Sequence, residues 1–194
     1  MGREPKTIRL DQIPEVISEP FASREEITCY VGSNAATPTA AIESLTRAVR
    51  DRSPRLPFIK MVHLLLQGPV PYVAEGLQDR VMTYSIFSTG DVRQAANEGR
   101  AYYLPCTLAN LDSLIGKGRS YEPDVVLIKV RRNEFTGEYS LGLSVEAIHT
   151  AIDHADVVIA ELDAGMPFTQ GQSIVDASSI DYLVEDGVKP VYDF

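Results

Sequence analysis

The stretch Gly137–Gly171, GEYSLGLSVEAIHTAIDHADVVIAELDAGMPFTQG, decides how this chain folds. It opens with a turn rich in small residues and continues into a helix and the buried strand VVIAEL at 157–162. It closes in a loop carrying Asp163, Gly165, Met166, Pro167 and Gly171. The apolar run DVVLIKV at 124–130 stands just before it and reads as a strand. A strand–loop–helix–strand–loop unit sends both loops to one edge of a parallel sheet, where open α/β domains bind ligands.

Working outward, the same alternation continues. ITCYV at 27–31, FIKMVHLLL at 58–66, VMTYSIF at 81–87 and AYYLP at 101–105 read as strands. Helical spacing recurs through Ala41, Ile42, Leu45, Ala48 and Val49, with Thr37 as N-cap and Pro38 in the first turn. Further helices are expected over 91–98, over 107–115 from a Thr107 cap, and after a Ser144 cap. Strands alternating with helices predict an α/β fold, a mainly parallel doubly wound sheet with helices on both faces. The 194 residues fit one domain, with 1–26 as a peripheral segment holding at most a short helix. The proline-containing exit KPVYDF at 189–194 reads as a domain boundary.

A formal net charge of −9 argues against nucleic acid or an anionic membrane as the partner. Cys29 and Cys106 lack any CxxC spacing and read as buried thiols of a reducing compartment. The three histidines sit at no ligand spacing near either cysteine, so no metal is expected. No apolar run is long enough to span a bilayer, and MGREPKTIRL lacks a signal-peptide core. Met1–Gly2 opens like a myristoylation motif, but Lys6 occupies the position that wants Ser or Thr. The expected location is cytoplasmic.

Several residues are candidates for chemistry. Gly32, Ser33 and Asn34 lie between a strand and a helix N-terminus, where backbone N–H groups favour an anion or a polarised carbonyl; the same residues also suit a plain tight turn. GSNAATP matches neither a P-loop nor GxGxxG. His63 in its apolar strand is either a hydrogen-bonded core histidine or a site residue. Arg93 is either a carboxylate partner or a surface arginine. Glu161 and Asp163 form a carboxylate pair at a buried strand end, which needs a partner or a raised pKa. No Ser-His-Asp or Cys-His arrangement can be assembled.

The run from Gly137 to Glu185 resembles the end of the N-terminal half of the acetyl-CoA hydrolase/transferase family, which includes 4-hydroxybutyrate, butyrate and acetate CoA-transferases. The resemblance rests on Gly137, Ser140–Leu141–Gly142, Ser144, Ala151–Ile152–Ala155, and Asp163 followed by Met166–Pro167 and Gly171. Upstream, VGSNAATPTAAIESL and FSTGDVRQAANEGRAYYLPCTLANL resemble the family's glycine loop and its F-x-x-G-x-x-R block, so the likeness runs collinearly over 27–185. Two departures stand out: the family commonly has Asn where Asp163 stands, and a serine–proline turn where this chain reads VRRNEFTG, adding Arg131 and Arg132.

The resemblance implies a CoA-transferase-like fold and a substrate pocket drawn from Gly32, Ser33, Asn34, Asp163, Met166 and Pro167. It implies coenzyme A as a substrate bound mostly by a C-terminal half, in the same polypeptide or a separate subunit. That half also brings the nucleophilic glutamate, so no catalytic residue is expected here and the isolated chain is expected to be inactive. The other partners implied are a small carboxylic acid and an acyl-CoA, in an oligomeric assembly. The competing readings are a non-catalytic docking or oligomerisation domain and, with less support, a self-contained sugar-phosphate isomerase-like enzyme.

Overall fold

The computed structural model describes residues 3–53 and 55–192; the Met1–Gly2 motif and the terminal Phe194 lie outside the described residues. Among the described residues there are ten strands: β1 (Lys6–Ile8), β2 (Glu26–Val31), β3 (Phe58–His63), β4 (Val81–Ser85), β5 (Ala101–Tyr103), β6 (Val125–Arg132), β7 (Tyr139–Ser140), β8 (Val157–Leu162), β9 (Ile174–Val175) and β10 (Tyr182–Val184). Eight of them run parallel in the order β1–β10–β8–β6–β2–β3–β4–β5, while β7 and β9 form an antiparallel flap on the end of β6.

Residue parity sorts the two faces, because successive strand side chains point to opposite sides. Ile27, Cys29, Val125, Leu127, Val157 and Ile159 face one core, which α2 (Thr39–Arg50) and α3 (Gly90–Asn97) cover. Tyr30, Val126, Ile128, Val158 and Ala160 face the other, under α4 (Leu111–Ile115) and α5 (Ile148–His154). The chain winds outward from β2 to β5, then returns to place β6 on the other side of β2. The junction of β2 and β6 is thus the switch point of the sheet, and the loops that follow these two strands open a crevice there.

The N-terminal segment contributes more than a peripheral helix. β1 extends the sheet beside β10, and α1 (Ile13–Ser18) buries Ile13 and Ile17 completely. Helix starts also shift. Thr37 does not cap α2; its hydroxyl donates to the Asn34 carbonyl at 2.7 Å, and the tight turn from Asn34 to Thr37 delays the helix to Thr39. Ser144 does not cap α5, because Glu146 adopts a left-handed backbone (φ 45°) that an α-helix cannot include. Residues 108–110 form a 3₁₀ turn before α4, with no side-chain cap from Thr107. Cys29 is buried, whereas Cys106 is only half-buried, in the loop that follows β5 rather than in a strand.

Parity places two charged residues inside the α2-covered core. Lys129 and Glu161 are register partners on β6 and β8, and both are fully buried. The Lys129 Nζ lies 3.9 Å from Glu161 Oε2 and 3.6 Å from Asp163 Oδ2, and it donates to the Lys189 carbonyl. Glu161 Oε1 accepts from the Ala41 backbone N–H in the first turn of α2, where the helix dipole favours a negative charge. The segment from Lys189 to Tyr192 crosses above: Tyr192 N donates to the Ala35 carbonyl at 3.0 Å, and its hydroxyl meets Thr39 Oγ1 at 3.1 Å. The start of α2 is therefore occupied by the protein's own carboxylate and covered by its own chain.

The two loops of the Gly137–Gly171 stretch also lock together. Gly142 has φ 60°, and a Cβ there would lie 2.7 Å from the Met166 sulfur. Thr169 Oγ1 donates to the Gly142 carbonyl at 2.8 Å, and the Ser140 hydroxyl donates to the Thr169 carbonyl at 2.9 Å. Among the described residues no helix is long and apolar enough to cross a membrane.

Two outcomes follow for stability. Burial raises the Glu161 carboxyl from its ordinary value to about 7, against the opposing pull of the Ala41 N–H and Lys129. The native state then binds this proton more tightly than the unfolded chain, so stability falls as pH rises from about 4.5 to 7. Glu161→Gln removes that slope. Urea unfolding should show the variant gaining about 2 kcal/mol on the parent between pH 5 and pH 8; an unchanged difference would mean Glu161 is already ionised at pH 5. Gly142→Ala should cost about 2 kcal/mol in the same assay, from left-handed strain and the Met166 contact.

Candidate functional site

The crevice at the switch point is built from loops at the carboxyl ends of β2, β3, β5 and β7. Asn34 leaves β2 in a left-handed conformation (φ 56°), pinned by its N–H to the Leu65 carbonyl at 2.7 Å. Its side-chain Nδ2 donates to Glu146 Oε1 at 2.9 Å and to Ser144 Oγ at 3.2 Å. The Ser144 hydroxyl donates to the same Glu146 oxygen at 2.6 Å, and the Tyr30 hydroxyl donates to Glu146 Oε2 at 3.2 Å. Two left-handed non-glycine residues thus face each other across a shared hydrogen bond. Each costs about 1 kcal/mol, and such strain persists where the surroundings over-determine it, often at functional sites.

Beside this network lies an open cleft of about 390 Å³. Leu64, Leu108, Leu111, Leu143 and Val145 form its apolar walls. Its polar lining comes from Asn34, Ser144, Glu146 and Asp112. None of the residues lining it, among those described, is a lysine, arginine or histidine. Burial raises the Glu146 carboxyl above the usual carboxylate range, opposed by its bonds from Ser144, Tyr30 and Asn34. Burial likewise pushes the Tyr30 phenol up, with the adjacent Glu146 charge adding to it.

The residues singled out from sequence divide among this cleft, the interior and, for Pro167, the surface. Asn34 lines the cleft. Ser33 is fully buried and joins β2 to β3, donating to the Val31 carbonyl and accepting from the Leu64 N–H, both at 3.1 Å. Gly32 is buried beside it, its N–H donating to the Leu127 carbonyl at 2.8 Å. Asp163 is buried, with Oδ1 accepting from the Gly165 N–H at 2.8 Å. Met166 is buried against Gly142, and Pro167 lies on the surface.

His63 belongs to the core. It is fully buried, with Nδ1 3.3 Å from Ser85 Oγ, and burial lowers its imidazole to about 3, so it stays neutral at physiological pH. Arg93 is an exposed residue donating to the Ser88 carbonyl at 3.3 Å. Arg131 donates to the Ala164 carbonyl, and the Arg132 guanidinium lies 5.9 Å from the centre of the Tyr139 ring, so both are engaged outside the cleft.

Sequence reasoning missed Glu146, Tyr30 and Lys129. SVEAI reads as the first turn of a helix, so nothing marked Glu146 out. Lys129 was detectable, since it is a lone cation in an apolar strand with the parity of Glu161. Among the described residues no group of three His, Cys, Asp or Glu side chains is arranged to hold a metal ion.

Comparison with known proteins identifies the fold and the family. The chain is 37% identical over 127 residues to the 4-hydroxybutyrate coenzyme A transferase of Clostridium kluyveri, covering 66% of this chain and 29% of that protein. It is 30% identical over 165 residues to the succinyl-CoA:acetate/propanoyl-CoA:succinate CoA transferase of Fasciola hepatica, covering 84% of this chain and 33% of that one. The crystal structure of a 4-hydroxybutyrate CoA-transferase from Porphyromonas gingivalis superposes with a TM-score of 0.70 at 20% identity, over 97% of this chain and 41% of that one. The fold is thus CoA-transferase-like, and the chain spans about a third of the length of the curated relatives it matches. Residues 15–192 match the acetyl-CoA hydrolase/transferase N-terminal domain, and the chain belongs to that family.

Proposed function

We propose that this chain is the N-terminal domain or subunit of an acyl-CoA:carboxylate CoA-transferase or acyl-CoA hydrolase, and that its cleft forms one wall of the acyl pocket. The observation that carries this reading is the leucine-lined cleft at the switch point of β2 and β6, built from the loop segments at Asn34 and at Leu143–Glu146. The family's reactions need a carboxylate that attacks the thioester carbonyl, releasing the CoA thiolate and leaving an acyl–enzyme anhydride. The thiolate then attacks the enzyme's own carbonyl, giving a glutamyl–CoA thioester and a free acid, and a second acid reverses the sequence.

The carboxylates of this site suit support better than attack. Glu146 is held by three donors, while Glu161 and Asp163 face the interior beside Lys129. We assign the nucleophilic glutamate and most CoA contacts to a C-terminal half, consistent with the chain's share of its relatives' length. This half's work would be to seat the acyl chain against apolar walls and exclude water, which favours transfer over hydrolysis.

A docking role is compatible with the same surface and draws on one observation. Phe87, Tyr103, Leu108 and Leu143 are 40–62% exposed near the carboxyl ends of their strands, a concentration of apolar surface typical of interfaces. An isomerase-like phosphate site finds no such support, since the cleft offers carboxylates and no cation.

The test is isotope exchange between acetyl-CoA and labelled butyrate, with size-exclusion chromatography in parallel. The chain alone should exchange no faster than the uncatalysed background. Mixed with the C-terminal half of the Clostridium kluyveri relative, it should co-elute and exchange. Exchange at enzymatic rates by the chain alone would overturn the division of labour, and failure to co-elute would count against docking.

A further inference from the structure

Resting on the acyl-pocket reading, we propose that Glu146 sets the specificity of the cleft: its carboxylate accepts a hydrogen bond from a hydroxyl at the far end of the acyl group and, with Asp112, turns away acids bearing a second carboxylate. The argument begins with counting donors. An ionised carboxylate offers about four acceptor positions. Asn34 Nδ2 and Ser144 Oγ take the two on Oε1, and the Tyr30 hydroxyl takes one on Oε2. One acceptor position is left. The hydroxyl protons of Ser144 and Tyr30 are spent on Glu146, that of the neighbouring Ser33 goes to the Val31 carbonyl, and the second Asn34 Nδ2 hydrogen goes to Ser144. The polar end of the cleft is therefore a place that a hydrogen-bond donor fits and a bare acceptor does not.

Charge points the same way. Asp112 lines the cleft with its Oδ1 engaged by the Thr150 hydroxyl at 2.8 Å, and no cationic side chain among the described residues lines it. Arg131 and Arg132, which the sequence places near this edge, are bound to Ala164 and Tyr139 instead. A second carboxylate entering here would meet two like charges with no counter-ion, and unpaired like charge is an effective means of rejection. The left-handed backbone of Glu146 and Asn34 keeps the acceptor aimed, because neither residue can relax without breaking the bond to the other. Five apolar side chains along the remaining wall accommodate the methylenes of a short acyl chain.

The experiment titrates the ¹⁵N-labelled full chain with 4-hydroxybutyrate, butyrate and succinate at neutral pH and follows backbone amide shifts. All three acids share the reacting carboxylate, so its contribution cancels in the ratio of affinities. Shifts should centre on Asn34, Leu143 and Ser144, with 4-hydroxybutyrate bound about ten-fold more tightly than succinate and butyrate between them. Glu146→Gln should bring the ratio within about three-fold, mainly by strengthening succinate. Asp112→Asn, on an exposed side chain, should strengthen succinate part of the way and keeps the inference testable if the Glu146 variant does not fold. Cleft shifts with succinate bound as tightly as 4-hydroxybutyrate would overturn the specificity while leaving the acyl pocket in place. No cleft shifts with any acid would overturn the pocket itself.

Discussion

The interaction on which the rest of the structure depends is the buried ammonium of Lys129 between Glu161 and Asp163. It ties the paired strands β6 and β8 to the first turn of α2, to the loop that Asp163 opens and to the segment at Lys189. Glu161 ties β8 to the first turn of α2, and Asp163 opens the loop that reaches Met166. Lys129 itself belongs to β6 and holds the crossing segment at Lys189. Two carboxylates in a dry interior are tolerable only with a cation beside them, and removing that cation typically costs 3–5 kcal/mol. Burial raises the Glu161 carboxyl, the pull of the Ala41 N–H and Lys129 only partly offsets it, and the neighbouring Asp163 charge adds a little.

This cluster gives a buried partner to Asp163, the position where the resemblance led us to expect Asn. A new charge at the mouth of a pocket would alter substrate preference. Here Asp163 faces Lys129 at 3.6 Å inside the fold, so the charge is neutralised internally and never reaches the cleft. The carboxylates that do meet the cleft are Glu146 and Asp112. Asp163 and Glu146 are thus opposite cases: one carboxylate is compensated by a cation and builds the frame, and the other is compensated only by neutral donors and faces the cleft.

Much of the frame was legible because its signals are local. The parity of DVVLIKV and VVIAEL, and the helices between strands, depend on residue types within a few positions. β1 and β10 were not legible, since each has three residues and β1 exposes two of them; they become strands only because β8 offers a neighbouring edge. The cleft was harder still. Asn34 could be picked out as a loop residue after a strand, but its role comes from a bond to Glu146, 112 residues away in sequence. Ser144 looked like a helix cap because serine before an apolar periodic run usually is one. What overrode that preference was the left-handed turn at Glu146, which tertiary hydrogen bonds hold in place.

The rigid frame and strained lip bear on the proposal that another half completes the site. The α2 N-terminus, which could have served as an anion site, is already satisfied by Glu161 and covered by Tyr192. That leaves the fixed acceptor of Glu146 and the leucine wall as what the chain presents at the switch point. An acceptor without a cation holds a neutral tail well and a reacting carboxylate poorly. Under the proposed function, an opposing half would supply the positive potential and the nucleophile, which would set tail recognition and bond-making on opposite walls.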